Sequence, residues 1–449
     1  MNYIENEKQV ELDIKKIYIM PKFKIVSIKG VFLVISYETG NWIVLYNNIQ
    51  KYIFEYLSNK YSIEDTMREF EEYTDDIFAV LIQLEAKNFT NTNVQKIENG
   101  ETMQIYITNG CNLRCKHCYM YADYKRKNEL TFEEIKNICI NFKANGGKYI
   151  TLTGGEVTTR KDFSDIIQLL HQLKLGIHIL SNGVSWSSDL INLVAKCNVQ
   201  RVQISLDGYD EKSNSLVRGK DVFQMSLETI DNLVRKGVNV TVAVTPLFDL
   251  VVKNKQNYIN FAKELIEKYR KYKFSVNFSF ELIEGRNLPK SDIIKHNKKY
   301  MMIMDEINST VYPNSEIESF IENHKDNKIF NNCGYGRINV APNGDIFFCS
   351  RITEVKKYAN IRENSFEDIF SKVKLIRNLS DINNLKPCNK CELKYICGGG
   401  CRVNEFYELT QIDKLSDISD APTISRKCTE ESKNRLYELM IECNERLFR

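Results

Sequence analysis

Three cysteines stand as Cys111-x3-Cys115-x2-Cys118 in the run TNGCNLRCKHCYMY. Three thiolates on so short a loop can hold three corners of a [4Fe–4S] cube, which leaves the fourth iron without a protein ligand. A structural metal site closes every position, whereas a reacting one keeps a position open. The competing reading is a zinc knuckle or a set of buried thiols. No nearby fourth cysteine or well-spaced histidine completes a tetrahedron, and His117, between two of the cysteines, is badly placed to join them.

A second set lies near the C-terminus: Cys333-x10-Gly344-x4-Cys349, then Cys388-x2-Cys391-x5-Cys397-x3-Cys401, then Cys428. Gly398-Gly399-Gly400 supplies backbone freedom between two of these residues. A pair of zinc ribbons is the alternative. Seven such positions are one short of the eight ligands that two cubane clusters would need. Cys139, Cys197 and Cys443 fall in or at the ends of helical patterns and read as ordinary small residues.

The elements that must position these residues follow from periodicity. The chain has 449 residues, room for two or three domains. Lys22–Ser27, Val31–Tyr37 and Trp42–Tyr46 read as strands, with Glu38-Thr39-Gly40 as a turn. A helix carrying Ile49, Ile53, Phe54 and Leu57 follows, then two more with Ser62 and Thr74 as N-caps. From Met103 onward strands alternate with helices such as Phe132–Asn145, Phe163–Leu173 and Phe223–Lys236. The strands read are Met103–Thr108, Lys148–Thr153, Gly176–Leu180, Arg201–Leu206, Val238–Val244 and Phe274–Glu281. Six βα units with right-handed crossovers predict an α/β fold, a partial (β/α)6 TIM-like barrel. The divisions expected are a winged-helix-like α+β domain over 1–95, the barrel over 100–287, a helical bridge over 288–325 and a Cys-rich iron–sulfur domain over 326–449.

Parallel barrels carry their sites on loops after the strands. Here those loops hold the Cys111 segment, Thr153-Gly154-Gly155-Glu156, Ser181-Asn182-Gly183, Ser205-Leu206-Asp207-Gly208, Thr245 and Glu281. One polar strand end is an ordinary turn; six on one rim make a site. Gly154 and Gly155 allow close backbone approach, and Glu156 offers an acceptor for an ammonium group. Arg218 suits a carboxylate, and Glu281 is a candidate polar or proton-accepting group facing the barrel interior.

The cysteine loop resembles the signature of the radical S-adenosylmethionine (SAM) superfamily, with His117 at its usual aromatic position. The C-terminal spacing resembles its SPASM extension, and the first domain the peptide-recognition domain of the coenzyme-PQQ chaperone type. The resemblance implies SAM and three [4Fe–4S] clusters. Cys111, Cys115 and Cys118 would hold the SAM-binding cluster. Gly154, Gly155 and Glu156 would meet the SAM amino group, while Ser181, Asn182, Ser205, Asp207 and Arg218 would lie near its ribose and carboxylate. Cys388, Cys391, Cys397 and Cys428 would close a distal cluster; Cys333, Cys349 and Cys401 would hold a nearer one with an open iron. Some relatives, including anaerobic sulfatase-maturing enzymes, place a further cysteine just before the first, and HKDNKIFNN contains none.

The function implied is maturation of a ribosomally made precursor peptide. A 5′-deoxyadenosyl radical would abstract hydrogen, and a peptide cysteine held at the open auxiliary iron would attack the carbon to form a thioether. Carbon–carbon crosslinking or epimerisation is the runner-up, and a non-catalytic peptide-binding or electron-transfer scaffold the rival from another class. The leader would add as a strand near Trp42–Tyr46, and a flavodoxin or ferredoxin would supply electrons. A net charge of +3 gives no reason to expect nucleic acid, and no apolar stretch approaches a membrane span. Thirteen cysteines without a secretion signal predict metal in a reducing cytoplasm.

Overall fold

The six apolar runs form six parallel strands hydrogen-bonded in sequence order. Numbered after the three strands of the N-terminal domain, they are β4 (Thr102–Thr108), β5 (Tyr149–Gly154), β6 (Gly176–Ser181), β7 (Arg201–Ser205), β8 (Val240–Val244) and β9 (Phe274–Phe278). The computed structural model describes residues 2–5, 8–11, 13–97, 101–197, 199–324, 328–330, 333–406, 423 and 428–448. Helices between the strands cover one face of the sheet with Ile, Leu, Val and Phe side chains. Their starts are written locally: Thr131 and Glu134 form a reciprocal capping box before Phe132–Ala144, and Asp210 with Ser213 another before Glu211–Arg218. The last strand is shorter than expected. Ser279 N–H bonds the Val244 carbonyl and its hydroxyl turns to the Glu281 carbonyl, so Glu281 lies beyond the ladder.

The sheet does not stop at β4. Asn339–Val340 (β10) pairs parallel with β4, and Asp345–Phe347 (β11) and Ala359–Asn360 (β12) follow antiparallel, giving nine strands. Strands this short carry no readable period. The turn before β11 is where Gly344 sits, at φ +85°, which is why a glycine interrupts the Cys333–Cys349 interval. Among the described residues no helix is long and apolar enough to cross a membrane.

The N-terminal domain has a three-stranded antiparallel sheet, β1 (Phe23–Ile28), β2 (Val31–Ser36) and β3 (Trp42–Leu45), followed by α1 (Asn48–Ser58), α2 (Ile63–Glu69) and α3 (Thr74–Ala86). Ser62 caps α2 in a box with Asp65. Thr74 is not a cap, because a 3-10 turn over Glu71–Tyr73 runs straight into α3.

Both faces of this sheet are buried. Val34, Ile43 and Leu45 pack on the domain's own helices, while Leu33, Ile35, Trp42 and Val44 pack on the C-terminal helix Glu430–Phe448. The run VFLVIS is apolar at both parities for that reason. Trp42 Nε1 donates to the Met440 carbonyl at 2.9 Å, and Lys24 pairs with Glu392 at 2.9 Å, next to Cys391. The edge expected to take a peptide, Trp42–Tyr46, is closed. Gln83 of α3 both accepts from Val44 N–H (2.9 Å) and donates to the Val44 carbonyl (2.8 Å), and Lys87 donates to the Trp42 carbonyl (2.9 Å).

Trp42→Ala should therefore loosen two parts of the molecule at once. We expect a loss of about 3–5 kcal/mol in urea unfolding, the usual range for a large buried aromatic, together with faster proteolysis of the C-terminal helix.

Candidate functional site

Cys111, Cys115 and Cys118 sit on the loop leaving β4, and that loop is held from three sides. Glu129, itself buried, accepts from Asn109 N–H (2.7 Å), Thr108 Oγ1 (2.9 Å) and Arg126 N–H (3.0 Å), closing the loop at its base. Gly154 and Gly155 support it from β5. A Cβ at Gly154 would lie 2.3 Å from the Thr108 carbonyl, and one at Gly155 would lie 2.3 Å from the Gly110 carbonyl. The close approach these glycines permit is thus to the cysteine loop. From beyond β9, Arg286 and Asn287 N–H groups donate to the Cys118 and Lys116 carbonyls.

The sulfur surroundings fit an anionic thiolate group. Leu113 N–H points at Cys111 Sγ (3.4 Å) and Arg218 Nη1 at Cys115 Sγ (3.8 Å). Burial pushes the Cys111 thiol up to about 11, so loading a metal there must expel protons.

The rim residues are brought together, with partners that residue type alone did not disclose. Glu156 is buried, and its carboxylate accepts from Ser181 Oγ (2.8 Å), Asn182 N–H (2.7 Å) and Thr158 Oγ1 (2.9 Å). Burial raises its pKa against these donors. Asn182 Nδ2 continues to Asn112 in the cysteine loop at 2.8 Å. Ser205 ends β7, half-buried.

Asp207 is wholly buried. Its Oδ2 lies 2.6 Å from both His117 Nε2 and Arg218 Nε, and its Oδ1 accepts from Thr245 N–H at 2.8 Å. Burial alone would raise this carboxyl; the Arg218 and His117 charges hold it at about 2. Arg218, expected to face a carboxylate ligand, is committed through Nε to Asp207. Through this contact with Asp207, His117 is the arm that ties the cysteine loop to the end of β7.

The second cysteine set divides in space. Cys333, Cys349 and Cys401 line one cavity, and the Cys333 and Cys401 thiols hydrogen-bond, which lowers the first at the expense of the second. Cys388 lies within electrostatic reach of Cys391, Cys397 and Cys428, and burial lifts it to about 11.

Two arginines missed in the sequence organise this region. Arg351 donates its N–H to Cys349 Sγ (3.5 Å) and approaches Cys401 Sγ with Nη1 (3.8 Å). It also pairs with Glu281 at 3.3 Å. Buried Arg402 gathers the Gly398 and Gly400 carbonyls at 2.8 and 2.7 Å. Their nearness in sequence to Cys349 and Cys401 was the available signal. Glu281, also held by Asn404 Nδ2 at 3.2 Å, is an ion-paired group beside the second cysteine set, not a free base in the barrel. Cys139, Cys197 and Cys443 are buried in the packing of helices.

Residues 105–262 match the model of the Radical SAM superfamily, and residues 332–392 that of SPASM, an iron-sulfur cluster-binding domain. The mycofactocin maturase MftC of Mycolicibacterium smegmatis is 23% identical over 350 residues, covering 71% of this chain and 83% of that protein. The sporulation killing factor maturation protein SkfB of Bacillus subtilis is 33% identical over 141 residues, 31% of this chain and 34% of that protein. Among solved structures, hexahistidine-tagged anSMEcpe with bound AdoMet superposes with a TM-score of 0.51 at 16% identity, covering 79% of this chain and 98% of that one. The chain carries a radical SAM core and a SPASM region, which imply SAM and iron–sulfur clusters as cofactors.

Two substitutions probe the site. Gly155→Ala should push the cysteine loop outward at a cost of about 1–3 kcal/mol, read as lost iron at that loop after reconstitution. Asp207→Asn leaves the Arg218 cation buried without its partner, costing about 3–5 kcal/mol in denaturant unfolding. Because the folded pKa of Asp207 is depressed, its contribution is complete above about pH 4 and fades as pH falls toward 2. The variant should lose that acid dependence.

Proposed function

We propose that this chain is a radical SAM peptide maturase that joins a cysteine of a ribosomally made precursor peptide to a carbon through a thioether. The observation that carries this reading is a cavity of about 680 Å³ bounded by Cys333, Cys349 and Cys401 on one side and by the inner wall of the barrel on the other. Three thiols leave one corner of a cubane for a fourth ligand, and a peptide thiolate is of the right chemistry to fill it. The names of MftC and SkfB, both maturation proteins, support peptide as the substrate class.

In this reading Cys111, Cys115 and Cys118 hold the SAM-binding [4Fe–4S] cluster, and Cys388, Cys391, Cys397 and Cys428 close the distal auxiliary one. When bound, SAM and its cluster supply a 5′-deoxyadenosyl radical for hydrogen abstraction, and the auxiliary clusters an electron sink. Gly154, Gly155, Glu156, Ser181, Asn182 and Ser205 shape the SAM pocket. Arg218 holds the cluster loop through Asp207 and His117 and directs Nη1 at Cys115. Arg351 and Glu281 set the charge beside Cys401.

The leader would bind the N-terminal domain. Its open edge is β1: Tyr37 N–H bonds the Lys22 carbonyl, and this phase turns Phe23, Ile25 and Ser27 outward, where no described residue takes their N–H or C=O. That edge replaces the closed Trp42–Tyr46 one as the place for a peptide strand. A flavodoxin or ferredoxin in the cytoplasm would provide the electrons.

The test is anaerobic incubation of reconstituted enzyme with SAM, reductant and a cysteine-containing peptide encoded beside the gene. One C–H and one S–H bond break and one C–S bond forms, so the peptide should lose two hydrogens and one titratable thiol. 5′-Deoxyadenosine should accumulate, and Cys115→Ala should abolish it. Unchanged mass, or loss of two hydrogens with every thiol intact, would overturn the thioether reading.

A further inference from the structure

The interior of a parallel barrel is normally filled by layers of bulky branched side chains. One layer here is polar. The strand register places Asn339 of β10 beside Gln104 of β4, Gln104 beside Thr151 of β5, Thr151 beside His178 of β6, and His178 beside Arg201 of β7. Five neighbouring strands thus present amide, hydroxyl, imidazole and guanidinium groups in one row, and all five residues line the cavity shared with Cys333, Cys349 and Cys401. The cavity falls in the size range of ligand sites, about 300–1,000 Å³.

Its charge is one-sided. Arg201, Arg337 and Arg351 line it, and no aspartate or glutamate does among the described residues. Arg351 is answered by Glu281 and Glu354 from outside the lining, so its charge is spent locally. Arg201 is different: no described carboxylate pairs with it. Beside it His178 stacks on Tyr149 with ring centres 5.7 Å apart, which fixes the imidazole. Burial and the Arg201 charge lower the His178 pKa, a repulsion that an anion between the two would relieve.

We infer that Arg201 and His178 form a carboxylate-recognition subsite at the far end of this cavity, so that the peptide segment entering it carries an acidic group beyond the residue held near Cys333, Cys349 and Cys401. This deepens the peptide reading above and rests on it for the identity of the ligand as a peptide. Guanidinium and imidazole on adjacent strands match the two oxygens of a carboxylate, with Thr151 and Gln104 extending the row toward the cysteines. The carboxylate comes either from an Asp or Glu side chain or from a peptide C-terminus.

Binding to the full-length, reconstituted enzyme separates these sources without turnover. The probes are acetyl-Gly-Asp-Gly-amide, acetyl-Gly-Asn-Gly-amide and acetyl-Gly-Gly-Gly with a free C-terminus, followed by ligand-observed NMR under anaerobic conditions. At least one carboxylate probe should bind about tenfold more tightly than the Asn probe. If the Asp peptide alone gains, the group is a side chain; if the free terminus alone gains, it is the chain end.

Arg201→Gln should erase the difference, Arg201→Lys should keep part of it, and His178→Gln should reduce it. Iron content reports that each variant remains loaded. Equal affinity for all three probes, or a carboxylate preference untouched by both Arg201→Gln and His178→Gln, would overturn the subsite. A carboxylate preference that persists while the precursor peptide shows no loss of two hydrogens would leave the subsite standing and remove the thioether reading alone.

Discussion

The parallel pairing of Asn339–Val340 with Thr102–Thr108 is the contact on which the rest of the molecule's chemistry depends. It joins the C-terminal region to the first barrel strand, the strand whose end carries Cys111, Cys115 and Cys118. Tyr106 in that strand also donates to the Ser350 carbonyl at 2.7 Å, one residue from Cys349. Backbone ladders are stiff, so the two thiol sets are held at one separation on one sheet. Any substrate that reaches both must lie along the concave face between them.

Charge is managed around the sulfurs in the same manner at both ends of that face. An arginine approaches a cysteine Sγ at 3.8 Å in each case, Arg218 at Cys115 and Arg351 at Cys401. Each is steadied by a carboxylate, Asp207 or Glu281. A buried guanidinium without a counter-charge would be costly. With one, it remains a fixed donor toward an anionic sulfur. Asp207 adds a mechanical role, since its link to His117 ties the cysteine loop to β7 across the barrel mouth.

The N-terminal sheet belongs to this architecture more closely than its compact sequence pattern suggests. Its outer face is covered by the C-terminal helix, and Lys24 of β1 reaches Glu392, which also accepts from Tyr437 of that helix. A peptide strand added at the open edge of β1 would lie beside the segment that carries Cys391. The open edge of β1 and the distal cysteine set are therefore mechanically adjacent.

Most of the barrel was legible because apolar runs of β-branched residues, separated by amphipathic helices, carry a period that local sequence reveals. Strands β10 to β12 were not, since strands of two or three residues have no period and exist only because β4 offers an edge. Cys111, Cys115 and Cys118 could be grouped by spacing, because short intervals restrict geometry whatever the fold; the division of the other seven rested on family resemblance, since Cys397 and Cys401 are close in sequence and lie in different groups. The partners of Glu156, Asp207, Arg218 and Glu281 could not be read from spacing. A charged side chain is satisfied by whatever approaches in three dimensions, and those neighbours come from loops and helices far off in the chain, 90 residues away for His117 and Asp207 and 123 for Asn404 and Glu281. The sequence by itself determined which atoms are available for metal and radical chemistry, and the strand order that collects the first cysteine loop, Glu156, Ser181, Asn182, Ser205 and Asp207 on one rim. Only the tertiary structure decided which of the charged groups hold the site together, which edge of the first sheet is open, and that a row of polar side chains faces the second cysteine set, because register and burial are properties of the assembled sheet.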